Sequence, residues 1–192
     1  MTVQSSTTTL RADARRNREA VISAARRLFA ERGLDTPLEV IAQEAGVGRA
    51  TMHRRFPTRE SLVKTVFLDN ISELERVSLT AADSADAYLD ILAATLKMLV
   101  KDVGLVDVFN SRAVSDDTRK EISTRFLAIV EEPLRRAQAA GRVRSDLTLE
   151  DTTLLVDMLG GAAHSSGAAS ATERINRAHS LLLDAIRPTR NG

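Results

Sequence analysis

Residues 36–60 read TPLEVIAQEAGVGRATMHRRFPTRE, and this stretch decides the fold. Thr36-Pro37-Leu38-Glu39 has the form of a helix start, with a hydroxyl residue to cap, proline in the first turn and glutamate three residues after the threonine. Leu38, Ile41 and Ala45 then recur at helical spacing and predict a short helix with one apolar face. Gly46-Val47-Gly48 imposes a tight turn. A second helix of two turns runs from Arg49 to about Arg55 and stops at Pro57, because the residue before a proline avoids the helical region. Two short helices joined by three residues with glycine have the geometry of a helix-turn-helix. Val47, Met52 and Phe56 point inward and hold the second helix on its neighbours. That leaves Arg49, Ala50, His53 and Arg54 facing outward, where a DNA major groove would lie. Arginine bonds guanine O6 and N7 with both arms of its fork, and a side chain as small as Ala50 admits a thymine methyl.

The flanks extend the pattern. Upstream, Ile22, Ala25, Leu28 and Phe29 mark a first helix over about 13–32, stopped by Gly33, while residues 1–12 read as a flexible tail. Arg11, Arg15, Arg16 and Arg18 form a basic arm, which either enters a minor groove or tracks phosphates, or else is a disordered tail with no fixed contact. Downstream, Thr58 caps a long helix with Leu62, Val66, Ile71 and Leu74 on one stripe and Phe67 beside it. Thr36, Thr51, Arg55, Arg59 and Lys64 surround the helix-turn-helix as candidate contacts to DNA phosphates, with Gly48 at the start of the second helix. Thr36 and Arg59 lie at helix N-termini, where free backbone N–H groups favour an anion.

The remainder is also helical in pattern: about 85–101, 105–113, 116–140 with a kink expected at Pro133, 148–163, and 173–187 closed by Pro188. No segment alternates with period two, so the fold class is all-α. The expected organisation is a helix-turn-helix over 13–57, a helical body over 58–187 and a short tail over 188–192. Hydrophobic residues make up 43% of the 192, enough for a sizeable core, and aromatics only 3%. The net charge of +1 hides an asymmetry: residues 11–64 hold twelve Arg and Lys against seven Asp and Glu, and the rest is acidic. A basic head on an acidic body suits a polyanionic partner at the head alone. Absence of cysteine excludes disulfides and thiolate chemistry. No nucleophile motif, glycine-rich phosphate loop or metal-ligand spacing is present, and the expectation is a non-enzymatic, cytoplasmic protein without cofactor, metal or membrane span.

LFAERG at 28–33, the run Ile41, Ala42, Ala45, Gly46, Val47, and Thr51, Phe56, Pro57, Glu60, Leu62 together resemble the N-terminal domain of the TetR family of transcriptional repressors. The resemblance covers about 14–67. Where the family usually has serine, glycine, tyrosine, histidine and lysine, this chain has Gly48, Ala50, His53, Arg55 and Arg59. What the resemblance implies is a homodimer that binds a palindromic operator and carries a small-molecule cavity in each C-terminal domain. Met98, Phe109, Phe126, Met158 and His164 are candidate cavity residues, or ordinary core. Asn110, Arg112, Arg125 and His164 are candidate polar groups for a mostly apolar effector with an anionic or hydrogen-bonding end. The last two helices have broad apolar faces: Leu154, Leu155, Met158, Leu159 and Ala162 on one, Ile175, Ala178, Leu182 and Ile186 on the other. They either pack within the chain or, as the resemblance implies, form a four-helix interface between two copies.

Overall fold

A computed structural model describes residues 3–33, 35–162 and 169–188. Among the described residues there are nine helices and no strand. The two short helices lie as expected, α2 at Leu38–Glu44 and α3 at Arg49–Arg55. Gly46 makes the turn between them at φ +65°, a left-handed conformation that favours glycine. The amide of Val47 then bonds back to the Ala42 carbonyl at 2.9 Å, which fixes the angle between the helices. Val47, Met52 and Phe56 are buried against α1 (Val3–Arg32) and α4 (Arg59–Thr80).

Two expectations at this end are corrected. Thr36 does not cap α2, whose N-cap is Pro37. Its hydroxyl donates instead to the Gly33 carbonyl at 3.0 Å, closing the C-terminal end of α1, and the residue is buried. The helix expected to begin at 13 begins at Val3. Neither proline nor glycine precedes Gly33, and lengthening an existing helix adds one hydrogen bond per residue without a new nucleus.

The body consists of α5 (Ala87–Lys101), α6 (Val103–Asn110), α7 (Asp116–Ala139), α8 (Leu149–Ala162) and α9 (Ala171–Ala185). Pro133 lies inside α7, which runs without a break from Asp116 to Ala139, and is buried. Gly141, at φ +63°, ends this segment. Reciprocal caps start the last two helices: Thr148 with Asp151, and Ser170 with Glu173.

The apolar interior divides into two clusters, and the expected boundary after Pro57 does not separate them. Leu62, Val63 and Val66 of α4 belong with the helix-turn-helix core, together with Val108 and Val114 from the α6 region. Ile71 and Leu74, one to two turns further along α4, belong with the body core of Tyr88, Ile91, Val130 and Leu134. Burial of a Leu or Val side chain contributes about 1.5–3 kcal/mol, so α4 is anchored at both ends by several such terms. Tyr88 is fully buried, and its hydroxyl is satisfied by Thr152 of α8 at 2.9 Å.

Polar ties reinforce the α4–α7 contact. Glu60 accepts bonds from the Ser115 amide at 2.9 Å and the Thr118 hydroxyl at 2.7 Å, at the N-terminus of α7. Donation from the Ser115 and Thr118 hydroxyls and the Ser115 amide lowers the Glu60 pKa from 4.5 to about 2. One turn on, Lys64 meets Glu121 at 2.6 Å. A carboxylate with a depressed folded pKa stabilises the fold above its unfolded pKa, and that contribution fades as pH falls. Wild type is therefore expected to be more stable than Glu60→Gln above about pH 4.5, with the gap closing as pH approaches 2. Thermal melts of both proteins across this range check it, and a pH-independent gap would refute the assignment.

Candidate nucleic-acid interface and ligand cavity

Helix α3 presents Arg49, Ala50, His53 and Arg54 to solvent, with Arg55 beside them. Their spacing on a helix sets Arg49 and His53 one turn apart, and Ala50 and Arg54 likewise. Arg54 and Arg55 have no ion-pair or hydrogen-bond partner among the described residues. Arg49 and His53 are tied to one carboxylate, Glu39 of α2, at 3.3 and 3.2 Å. Glu39's own backbone amide and the His53 ring hold its carboxyl below the usual carboxylate range. Glu39 was missed from sequence because it read as a helix-start residue; the contact arises only once the turn folds α3 back beside α2.

The candidate phosphate residues divide. Gly48 and Arg55 are exposed, and Thr51 is half-buried on α3. Arg59 donates to the Thr36 carbonyl at 3.2 Å, bracing the start of α4 against the α1–α2 corner. Lys64 turns away from α3 to Glu121, and the Thr36 hydroxyl is engaged within the protein, so neither side chain is aimed at the α3 surface. On α1, Arg15 and Arg16 pair with Glu19 and Asp13, and Arg18 pairs with Asp69 of α4. These arginines ride on a helix, not on a loose arm. The Arg11 side chain lies outside the described residues.

A cavity of about 140 Å³ opens between α4, α5, α6, α7 and α8. Met98, Phe109 and Phe126 line it as expected, and Phe67 stacks near Phe109 with ring centroids 4.4 Å apart. Met158 does not: it is 52% exposed on the opposite side of α8. His164 lies outside the described residues. Of the candidate polar groups Asn110 lines the wall, whereas Arg112 and Arg125 are exposed away from it. Sequence reasoning missed the charged part of this site. Asp102, at the C-terminal end of α5, is buried and accepts bonds from Arg26 of α1 and from Asn70 of α4, the latter at 2.8 Å. Arg26 also donates to Asn70 at 3.0 Å. Three helices thus meet on one carboxylate at the cavity wall, across sequence separations that no local pattern reveals.

On α8 and α9 the apolar residues face two ways. Leu159, Ile175 and Ile186 are buried within the chain, and Leu155 packs on the body core. Leu159, Ile175 and Ile186 are thereby corrected from interface to interior, since a helix apolar over a wide arc buries one side at home, while Leu155 is half-buried. Leu154 and Met158 remain exposed, as does Leu181, which the sequence reading had not included. Ala162, Ala178 and Leu182 are half-buried.

A short exposed basic helix presented from a three-helix head on a helical body defines a class, the helix-turn-helix transcription regulators. Residues 21–66 match the model for bacterial regulatory proteins of the TetR family, and residues 83–188 match the SbtR-like transcriptional regulator C-terminal domain. The chain belongs to the TetR family of transcription regulators. It is similar to a TetR transcription regulatory protein from Mycobacterium vanbaalenii, at 29% identity and TM-score 0.64 over 93% of this chain and 99% of that one. A TetR transcriptional regulator from Streptomyces coelicolor is 26% identical with TM-score 0.62, over 90% and 99%. The fatty acid degradation regulator FadR from Bacillus halodurans shares the fold, at 18% identity and TM-score 0.64 over 88% and 99%. No match was found among curated proteins. Among the described residues no helix is long and apolar enough to cross a membrane.

Proposed function

We propose that this regulator is a homodimeric repressor that binds a palindromic operator and leaves it when a small, mostly apolar molecule fills the cavity. The observation that carries this reading is the double duty of α4. Its Leu62, Val63 and Val66 hold the helix-turn-helix core, while its Phe67, Ile71 and Leu74 line the cavity. A ligand that prefers a different placement of α4 shifts the population of head positions. Two recognition helices fit successive major grooves only near one helical turn of separation, roughly 34–36 Å. In this reading Arg49, Ala50, His53 and Arg54 read bases, with Gly48, Thr51 and Arg55 on the backbone. Arg59 acts through the corner it braces. Leu154, Met158, Ala162, Ala178, Leu182 and the newly found Leu181 form the seam between copies. The exposed apolar surface on α8 and α9 supports this seam.

Selection of binding sequences from random DNA with the purified protein tests the reading. A palindromic consensus with half-sites one helical turn apart supports it; binding without sequence preference refutes it. By linkage, a ligand that weakens operator binding must itself be weakened by operator to the same factor. Glu39 supplies a sharper prediction. It neutralises Arg49 and engages the His53 ring at the surface that would approach phosphates, so Glu39→Gln is expected to strengthen binding to random-sequence DNA at low salt, with the gain screened away as salt rises. Fluorescence anisotropy on a random duplex at two salt concentrations measures it, and unchanged affinity at low salt would contradict it.

A further inference from the structure

We propose that the cavity takes a small amphipathic amine, with an aromatic or branched apolar body among Phe67, Met98, Phe109 and Phe126 and its ammonium on the Asp157 carboxylate. This rests on the reading of the cavity as the effector site. Size comes first. A cavity of about 140 Å³ matches the roughly 150 Å³ apolar cavities that hold a benzene-sized guest, so the ligand is built around one ring or an equivalent branched group.

Charge decides the other end. The side chains lining the cavity include two carboxylates, Asp102 and Asp157, and no lysine, arginine or histidine. Asp102 is already neutralised by Arg26 and bonded by Asn70. Asp157 has no ion-pair or hydrogen-bond partner among the described residues. It lines the cavity yet stays open to solvent, which places it at the mouth. Partial burial raises its pKa, the mark of a carboxylate that has lost water without gaining a partner. A cation restores that loss. An anionic end would instead meet the unpaired Asp157 carboxylate. The anionic alternative drawn from the sequence is therefore replaced by a cationic one.

Three probes of similar size separate the possibilities: phenethylamine, 2-phenylethanol and phenylacetate, titrated calorimetrically into the full chain at neutral pH and fixed ionic strength. The amine is expected to bind about tenfold more tightly than the alcohol, and the carboxylate more weakly than either. In Asp157→Asn, at a solvent-facing position that leaves the fold intact by circular dichroism, the amine should fall to the level of the alcohol while the alcohol is unchanged. Equal binding of amine and alcohol, tighter binding of phenylacetate, or an amine preference that survives Asp157→Asn overturns the proposal. So does the absence of saturable amine binding at millimolar concentration. Operator binding measured without any probe is a separate readout: its absence would sink the regulatory reading and leave the cavity chemistry standing, and a failed amine ranking would do the reverse.

Discussion

Leu154→Glu combined with Met158→Glu is expected to give a folded monomer that has lost nearly all operator binding. Both side chains are more than half exposed in the single chain, at 57% and 52%, so neither substitution disturbs its core. In a two-copy seam the same positions become apolar interior, and each copy would bury two carboxylates without partners, a cost of several kcal/mol per ion. Dissociation removes the second recognition helix from the complex. A tethered second contact raises overall affinity by about 10²–10⁴, and that factor should vanish with the dimer. Sedimentation gives the oligomeric state, circular dichroism the fold, and anisotropy the affinity. A soluble dimer with wild-type operator binding would move the interface off α8. Leu155→Glu is a poorer test, because Leu155 packs on the body core and its loss confounds folding with assembly.

Arg54→Ala should cost about 1–3 kcal/mol at each half-site if its fork engages a base edge. Both half-sites lose it in a homodimer, so the operator complex weakens by about 2–6 kcal/mol if the two terms add. Arg49→Ala is expected to cost less for the same geometry. Arg49 must leave Glu39 to reach a base, whereas Arg54 has no partner to give up among the described residues. A panel of single-base operator variants distinguishes reading from steering. Loss of preference at one base pair supports base recognition. A uniform loss across the panel would assign the residue to the phosphates.

The parts of the fold legible in sequence were those written in short spacings. The glycine turn at 46–48, the stop at Pro57 and the stripe Leu62, Val66, Ile71, Leu74 each depend on neighbours within a few residues, and each lies where expected. Ser170 and Glu173 carry an equally local signal, a capping box, and that helix nonetheless starts two residues earlier than its apolar pattern indicated. Thr36 shows the limit of local spacing. Its residue types fit a cap, but the nearby Gly33 carbonyl competes for the hydroxyl and wins. Amphipathic period fails in another way: it marks Leu159 and Ile175 as apolar and is silent about whether their partner is the same chain or another. The Arg26–Asp102–Asn70 cluster lay beyond reach, since its members are 32 to 76 residues apart and each alone is an ordinary polar residue.

The shared helix α4 has a practical consequence for anyone building hybrid sensors from this protein. Joining its DNA-reading head to a foreign body at Pro57 would strip the head of Leu62, Val63 and Val66, three fully buried side chains of its own interior. It would also separate Glu60 and Lys64 from Ser115, Thr118 and Glu121. A junction placed after Val66, with residues 108–121 grafted alongside, keeps the apolar plug, Val108 and Val114 of the same interior, and the polar latch. Domain exchange in this molecule is therefore a graft of two separated segments and not a single cut, and libraries that recombine it at one crossover should be dominated by unfolded heads.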